Sequence, residues 1–177
     1  MSEHDLVARI AAHHEAAHAV VAYRTAGHAC APVSIAPSGD DLGYADDPVR
    51  DTLDPGDMEA AILSCYAGGH AQRRIDASRG DAGCEADEDT ATEQLRFFGW
   101  QSREQELRDR SRELVDGHWV EIEAVARELL RCETLDDPTE IEMIADIAVG
   151  GRPGREPITL EDLRLYRALK SGEEIGG

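Results

Sequence analysis

Apolar and small side chains recur three and four residues apart near the start of the chain, the spacing of one face of an α-helix. Polar residues, His13 among them, lie off this stripe. Ser2 or Asp5 can cap the start of the helix, and a glycine after Ala26 is a typical C-terminal stop. The stripe comprises Val7, Ile10, Ala11, His14, Ala17, His18, Val21 and Ala22. The pattern predicts a first helix that ends near Ala26.

Two short β-branched segments follow this helix. Residues 31–37 are bounded by prolines and predict an edge strand, and residues 42–45 predict a second short strand after a turn. An exposed edge can pair with an extended peptide, although an ordinary hairpin that covers the core fits the local sequence equally well. The candidate peptide-binding residues on these segments are Val33, Ile35, Leu42, Gly43 and Tyr44.

The rest of the chain predicts further helices. Asp54 and Pro55 form a typical helix start. The helix that follows contains Gly68 and Gly69, where the missing side chains predict close approach of another backbone, such as that of the first helix. The other predicted helices are residues 84–95, 103–112, 118–131, 138–148 and 159–170. The expected fold class is mainly α with a small β edge or hairpin.

Glycine and proline divide the chain near its end. Residues 150–157 are rich in both and predict a linker between a domain of residues 1–149 and a C-terminal segment of residues 158–177. In that segment Thr159 and Asp162 have the spacing of a capping box. We expect a short helix there, followed by a disordered tail.

Composition limits the partners that the chain can have. The 37 acidic and 18 basic residues give a net charge of −19, which argues against a nucleic-acid partner. We find neither an apolar run long enough to span a bilayer nor a signal peptide, so no membrane association is expected. The four cysteines form no C-x-x-C pair, which predicts reduced thiols and a cytoplasmic location.

The candidate chemistry lies on the predicted first helix. His14, Glu15 and His18 form an H-E-x-x-H motif, and residues four apart lie on the same face of a helix. Both imidazoles can therefore bind one metal ion, while Glu15 takes a proton from water on the open side of the metal. The alternative is a pair of partly buried histidines on an apolar helix face.

A hydrolytic zinc site also needs a third protein ligand. Glu85 and Asp89 match the E-x-x-x-D spacing of thermolysin-like enzymes, whereas the metzincin pattern fails because Val21 and Arg24 occupy its positions. His70 is more typical of a packed or solvated side chain than of a ligand.

The chain resembles the peptidase domain of the FtsH family. Members of that family are ATP-dependent zinc metalloproteases that are anchored in membranes. The resemblance covers about residues 7–149. The matching segments, in the order of the family, are residues 14–19 (H-E-A-A-H-A), 33–39 (V-S-I-A-P-S-G), 42–44 (L-G-Y), 68–71 (G-G-H-A), 83–92 (G-C-E-A-D-E-D-T-A-T) and 129–135 (L-L-R-C-E-T-L). It implies Zn²⁺ bound by His14, His18 and Asp87, with Glu15 as the general base.

Several features depart from the family pattern. Ala17 replaces a glycine, His70 replaces an arginine, and Cys84 and Glu85 replace Ala-Ser. The sequence contains no G-x-x-x-x-G-K-[ST] phosphate-binding loop, so we expect no ATPase module and no membrane anchor.

These observations predict an ATP-independent zinc metalloendopeptidase that cleaves flexible or unfolded polypeptides. A separate ATPase partner and assembly into a homo-oligomer are both compatible with the resemblance. One alternative is a non-catalytic, FtsH-like zinc-binding adaptor, which the intact Glu15 disfavours and the missing ATPase motif favours. Another is a zinc amidase or small-molecule hydrolase that uses the same residues.

Overall fold

The computed structural model describes residues 2–36, 44–45, 54–80, 82–152 and 154–172. The α-helices in these ranges are α1 (Glu3–Ala26), α2 (Pro55–Ile75), α3 (Glu85–Phe98), α4 (Glu104–Gly117), α5 (Trp119–Cys132), α6 (Pro138–Ala148) and α7 (Leu160–Ser171). The strands are β1 (Val33–Ser34), β2 (Tyr44–Ala45) and β3 (Thr134–Leu135). The predicted class, mainly α with a small antiparallel β element, is confirmed.

Local sequence sets the ends of α1. The Ser2 hydroxyl accepts a hydrogen bond from the backbone N–H of Asp5 at 3.1 Å, and the Asp5 carboxylate accepts one from the N–H of Ser2 at 2.9 Å. This capping box satisfies two backbone donors at the helix start. Gly27 ends the helix with φ of 89°, a left-handed conformation that glycine adopts without steric cost. Both predicted helix ends are confirmed.

α1 lies at the centre of the helical core. It packs against α2 and α5, while α2 also contacts α3 and α4. Every residue of α1 from Ala12 to Tyr23 is buried, which fits a helix that neighbours surround. Even His13, which lies off the apolar stripe, stacks on Trp119 of α5 with ring centroids 5.4 Å apart. Among the described residues, no helix combines the length and the apolar character that a membrane span needs.

The small sheet differs from the prediction. β1 pairs with β2 and β3, both antiparallel, with Val33 opposite Ala45 on one side and Leu135 on the other. The prediction of an edge strand in residues 31–37 is therefore wrong. Pro32 lies outside the paired residues, so both edges of β1 keep their hydrogen-bonding groups. β2 is an outer strand, and Leu42 and Gly43 lie outside the described residues.

The predicted last helix is present as α7. The Thr159 hydroxyl accepts from the N–H of Asp162 at 3.2 Å, which completes the expected capping box. α7 is tied to the rest of the chain, because Leu163 is buried and Arg167 donates to Glu140 at 2.6 Å. In the predicted linker, Arg152 lies over the ring of Tyr23 at 4.0 Å. Residues 173–177, the predicted tail, lie outside the described residues.

A half-buried histidine joins α2 to α4. The Nε2–H of His70 donates to the backbone oxygen of Arg108 at 3.0 Å, and Arg73 donates to Nδ1 of His70 at 2.7 Å. This pattern uses both ring nitrogens of a neutral imidazole. Burial, followed by the charge of Arg73, lowers the pKa of His70 to about 4. His70 is thus a packed histidine, as the sequence suggested.

We expect His70 to make the protein less stable in acid. The imidazole takes up a proton near pH 6.5 in the unfolded chain but only near pH 4 in the folded one, so its stabilising contribution is complete above about pH 6.5 and is lost as the pH falls towards 4. The free energy of unfolding of His70→Gln should consequently fall less between pH 7.5 and 5 than that of the wild type. His28 is exposed, and His28→Gln should keep the wild-type pH dependence. An unchanged pH dependence in His70→Gln would contradict this account.

Candidate metal centre

Two histidines of α1 face α2 one helical turn apart. His14 and His18 are both buried, and their ring centroids lie 4.7 Å apart with the planes inclined at 72°. This is the arrangement that the spacing of four residues predicts. The local sequence of α1 thus brings two imidazole nitrogens to one place in the core.

A glycine in α2 makes room for both rings. A Cβ atom at Gly68 would lie 2.5 Å from Nε2 of His18 and 2.6 Å from Nε2 of His14, which is closer than real Cβ contacts come. The predicted close approach to the first helix is found, but the nearest atoms are imidazole atoms rather than backbone. Gly69 faces away from this contact, and a Cβ there would lie 3.4 Å from Sγ of Cys84.

The orientation of His18 is fixed by Ser64 of α2. The Nδ1–H of His18 donates to the backbone oxygen of Ser64 at 2.8 Å, and the Ser64 hydroxyl donates to the backbone oxygen of His18 at 3.1 Å. With Nδ1 acting as a donor to Ser64, Nε2 is the atom that can form a ligand bond once it gives up its proton. A hydrogen bond of this kind is the usual support of a metal-binding histidine.

The third group comes from the first turn of α3. Oδ2 of Asp87 lies 3.0 Å from Nε2 of His14 and 3.4 Å from Nε2 of His18. The candidate ligand atoms of these three residues all lie within 4.8 Å of one another. In the part of the chain that the structure describes, no other cluster of three His, Cys, Asp or Glu side chains has this geometry.

The competing third ligands lie elsewhere. Glu85 is exposed, and its carboxylate accepts a hydrogen bond from the backbone N–H of Gly83 at 2.9 Å. Asp89 is also exposed. Cys84 is buried, and this burial raises the pKa of its thiol to about 11. Among the described residues, Cys84 does not join the group of ligand atoms around the two histidines, so Asp87 is the third residue that the fold brings to them.

The three residues fit a metal ion of the size and preference of zinc. Zinc binds imidazole nitrogen and carboxylate oxygen at about 2.0–2.1 Å in tetrahedral geometry, which places neighbouring ligand atoms roughly 3.3 Å apart. The observed separations of 3.0 and 3.4 Å are close to this value. Three protein ligands also leave one position open for water, as catalytic zinc sites require.

Charge interactions hold the group together. Burial would lower the pKa of His18, but the Asp87 carboxylate raises it to about 9. Burial would likewise raise the pKa of Asp87, yet His18 and His14 hold it well below its usual range. A metal ion that binds here replaces the proton of His18, which makes binding stronger as the pH rises.

Glu15 is buried directly beside these ligands in sequence, and its charge contributes to the raised pKa of His18. Two of the predicted peptide-binding residues, Val33 and Ile35, are less accessible than expected. Val33 is buried in the core and its strand is paired on both sides, and Ile35 is half-buried with its N–H donating to the backbone oxygen of Glu133 at 2.8 Å. The outer strands of the described sheet are β2, which contains Tyr44, and β3, so an edge for a peptide would belong to one of these two.

The chain matches no protein-family model, and no curated protein matches it. The resemblance to the FtsH peptidase domain therefore rests on the order of its motifs in the sequence. The convergence of His14, His18 and Asp87 is a separate observation, because it is a property of the folded structure.

Replacing Gly68 with Ala should disrupt metal binding. The added Cβ must displace one or both imidazoles, so we expect the affinity for Zn²⁺ in isothermal titration calorimetry to fall by about 10–100-fold or more. Gly69→Ala is a matched control, because alanine improves helix propensity equally at both positions and the Cβ at 69 makes only an ordinary contact. Equal zinc affinity in the two variants would contradict the role given to Gly68.

Proposed function

We propose that the chain is a zinc metallopeptidase of the H-E-x-x-H type with an FtsH-like peptidase fold. The observation that carries the proposal is the convergence of two imidazole nitrogens and one carboxylate oxygen, from helices far apart in sequence, beside the glutamate of the motif. Two buried histidines that merely filled an apolar face would need no acidic partner from a third helix. The order of the family motifs in the sequence supports the same proposal.

The ligand residues of this proposal are His14, His18 and Asp87. A zinc ion held by these residues would act as a Lewis acid, which would lower the pKa of a bound water to about 7 and polarise the scissile carbonyl. Asp87 offsets part of the positive charge in a buried place, where an unbalanced charge is costly. Ser64 keeps Nε2 of His18 directed at the ligand position by binding Nδ1.

Glu15 is the general base and acid in this mechanism. Its carboxylate takes a proton from the attacking water and later returns that proton to the leaving amine. Its burial reduces competition from bulk water and strengthens its electrostatic interactions with the reacting groups. An adaptor that only binds zinc needs no general base, so the presence of Glu15 supports the peptidase.

The proposed substrates are flexible or unfolded polypeptides. An extended segment can pair with the outer edge of β2, and the net charge of −19 attracts basic segments. Because the sequence contains no phosphate-binding loop motif, we propose that its cleavage is ATP-independent, and a separate ATPase can extend it to folded proteins. The four cysteines form no disulfide, which suits a reducing compartment such as the cytoplasm.

Replacing Glu15 with Gln should abolish cleavage and preserve zinc. The amide cannot accept the proton, so we expect the rate of casein or peptide cleavage to fall by at least about 100-fold. Zinc content should stay equal to that of the wild type, because Glu15 is not a ligand. Glu85→Gln makes the same chemical change at an exposed position and should keep both activity and zinc. Zinc retained by the wild type without any cleavage would refute the peptidase and leave the adaptor.

Replacing Asp87 with Asn should remove zinc as well as activity. The amide keeps the shape of the side chain but loses the charge that offsets the metal, and loss of a ligand typically weakens binding far more than the roughly 10–100-fold of a supporting residue. Metal analysis after dialysis, with circular dichroism to verify folding, measures the effect. If zinc instead remains in Asp87→Asn and leaves Glu85→Gln, the third ligand is the thermolysin-like one.

A further inference from the structure

α5 presents a second set of side chains on the side away from the core. Its buried residues pack in the core formed with α1 and α6. Four others recur at spacings of three, four and three residues, so they share another face of the helix. Val120 is 57% exposed and Leu130 is 46% exposed, which is high for large apolar residues in a helix of this core. We call the set Val120, Glu123, Arg127 and Leu130 the outer stripe.

An apolar groove runs alongside the outer stripe. It has a volume of about 260 Å³ and lies where α5, α6 and α7 meet. Three members of the stripe line it, namely Val120, Glu123 and Arg127. Ile144, Ile147 and Leu160 line it from the other two helices. Leu160 is 62% exposed. The stripe and groove together form a continuous surface that can receive protruding apolar side chains.

The charged residues of the outer stripe lack partners that their neighbours have. Glu128, one position further along α5, pairs with Arg131 at 2.7 Å and with Arg167 at 2.9 Å. Among the described residues, neither Glu123 nor Arg127 forms an ion pair of this kind, although the charge of Glu123 interacts with the imidazole of His13. A matching pair of opposite charges is therefore left for another molecule.

The outer stripe is complementary to itself. Glu123 and Arg127 lie at equal distances in sequence on either side of Val125, and so do Val120 and Leu130. When two identical helices pack antiparallel about a two-fold axis, residue i of one faces residue j of the other, and j faces i. In this register each Glu123 meets an Arg127, and each Val120 meets a Leu130. Alternating spacings of three and four are also those with which paired helices pack.

We propose that the outer stripe is the contact through which two copies of this chain associate, with their α5 helices antiparallel about a two-fold axis. The groove beside the stripe adds apolar area, which a single pair of helices needs to approach the roughly 1,000 Å² of a specific interface. The high net charge of −19 makes most contacts between copies repulsive. The stripe adds little to this repulsion, because the charges of Glu123 and Arg127 are opposite and cancel. Association through the stripe does not depend on catalytic activity.

Charge exchange in the full-length chain tests the register directly. In sedimentation equilibrium, Glu123→Arg and Arg127→Glu should each raise the dissociation constant of the dimer at least about tenfold, since like charges then face each other. The double variant restores opposite charges at both contacts and should return to within about threefold of the wild type. Recovery in the double variant also shows that the single variants are not merely misfolded.

Apolar variants supply the matched control. Leu130→Gln should weaken association, whereas Phe97→Gln, at a residue of α3 that is 70% exposed, should leave it unchanged. A wild-type chain that stays monomeric up to about 1 mM would overturn the proposal. So would a double charge variant that fails to recover, or a loss of association in Phe97→Gln equal to that in Leu130→Gln.

Discussion

The contact between two imidazole rings and the bare backbone of Gly68 is the constraint on which the candidate site depends. α1 and α2 can lie this close only because no Cβ occupies the space beside Nε2 of His14 and His18. Ser64, one turn earlier in α2, then exchanges two hydrogen bonds with His18. The same helix thus both leaves room for the ligands and fixes the direction of one of them.

The carboxylate of Asp87 completes this arrangement from the start of α3. Its place in the first helical turn is favourable, because the positive end of the helix dipole stabilises a negative charge there. The attraction between the Asp87 carboxylate and the imidazoles holds it near the histidines. The same attraction raises the pKa of His18 and lowers that of Asp87. A cation bound to the three residues would replace the proton that now balances this charge. The fold is in this sense prepared for a metal ion before one binds.

Local signals were sufficient for some features and not for others. The ends of α1 and the capping box of α7 were predictable because each involves residues within four positions of one another. The edge-strand prediction for residues 31–37 failed because β3, which covers β1, lies about a hundred residues away in sequence. Ser64 was missed for the same reason, since it acts on a histidine 46 residues earlier. Asp87 was found through the order of the motifs, which no local pattern supplies.

The helix spacing, the glycine and the carboxylate all support the proposal that His14, His18 and Asp87 hold a zinc ion. X-ray absorption at the zinc edge of the loaded protein tests this claim most directly. It should reveal nitrogen and oxygen ligands at about 2.0–2.1 Å with the outer-shell scattering of two imidazoles. A sulfur ligand at about 2.3 Å, or a shell with no imidazole contribution, would contradict the site described above.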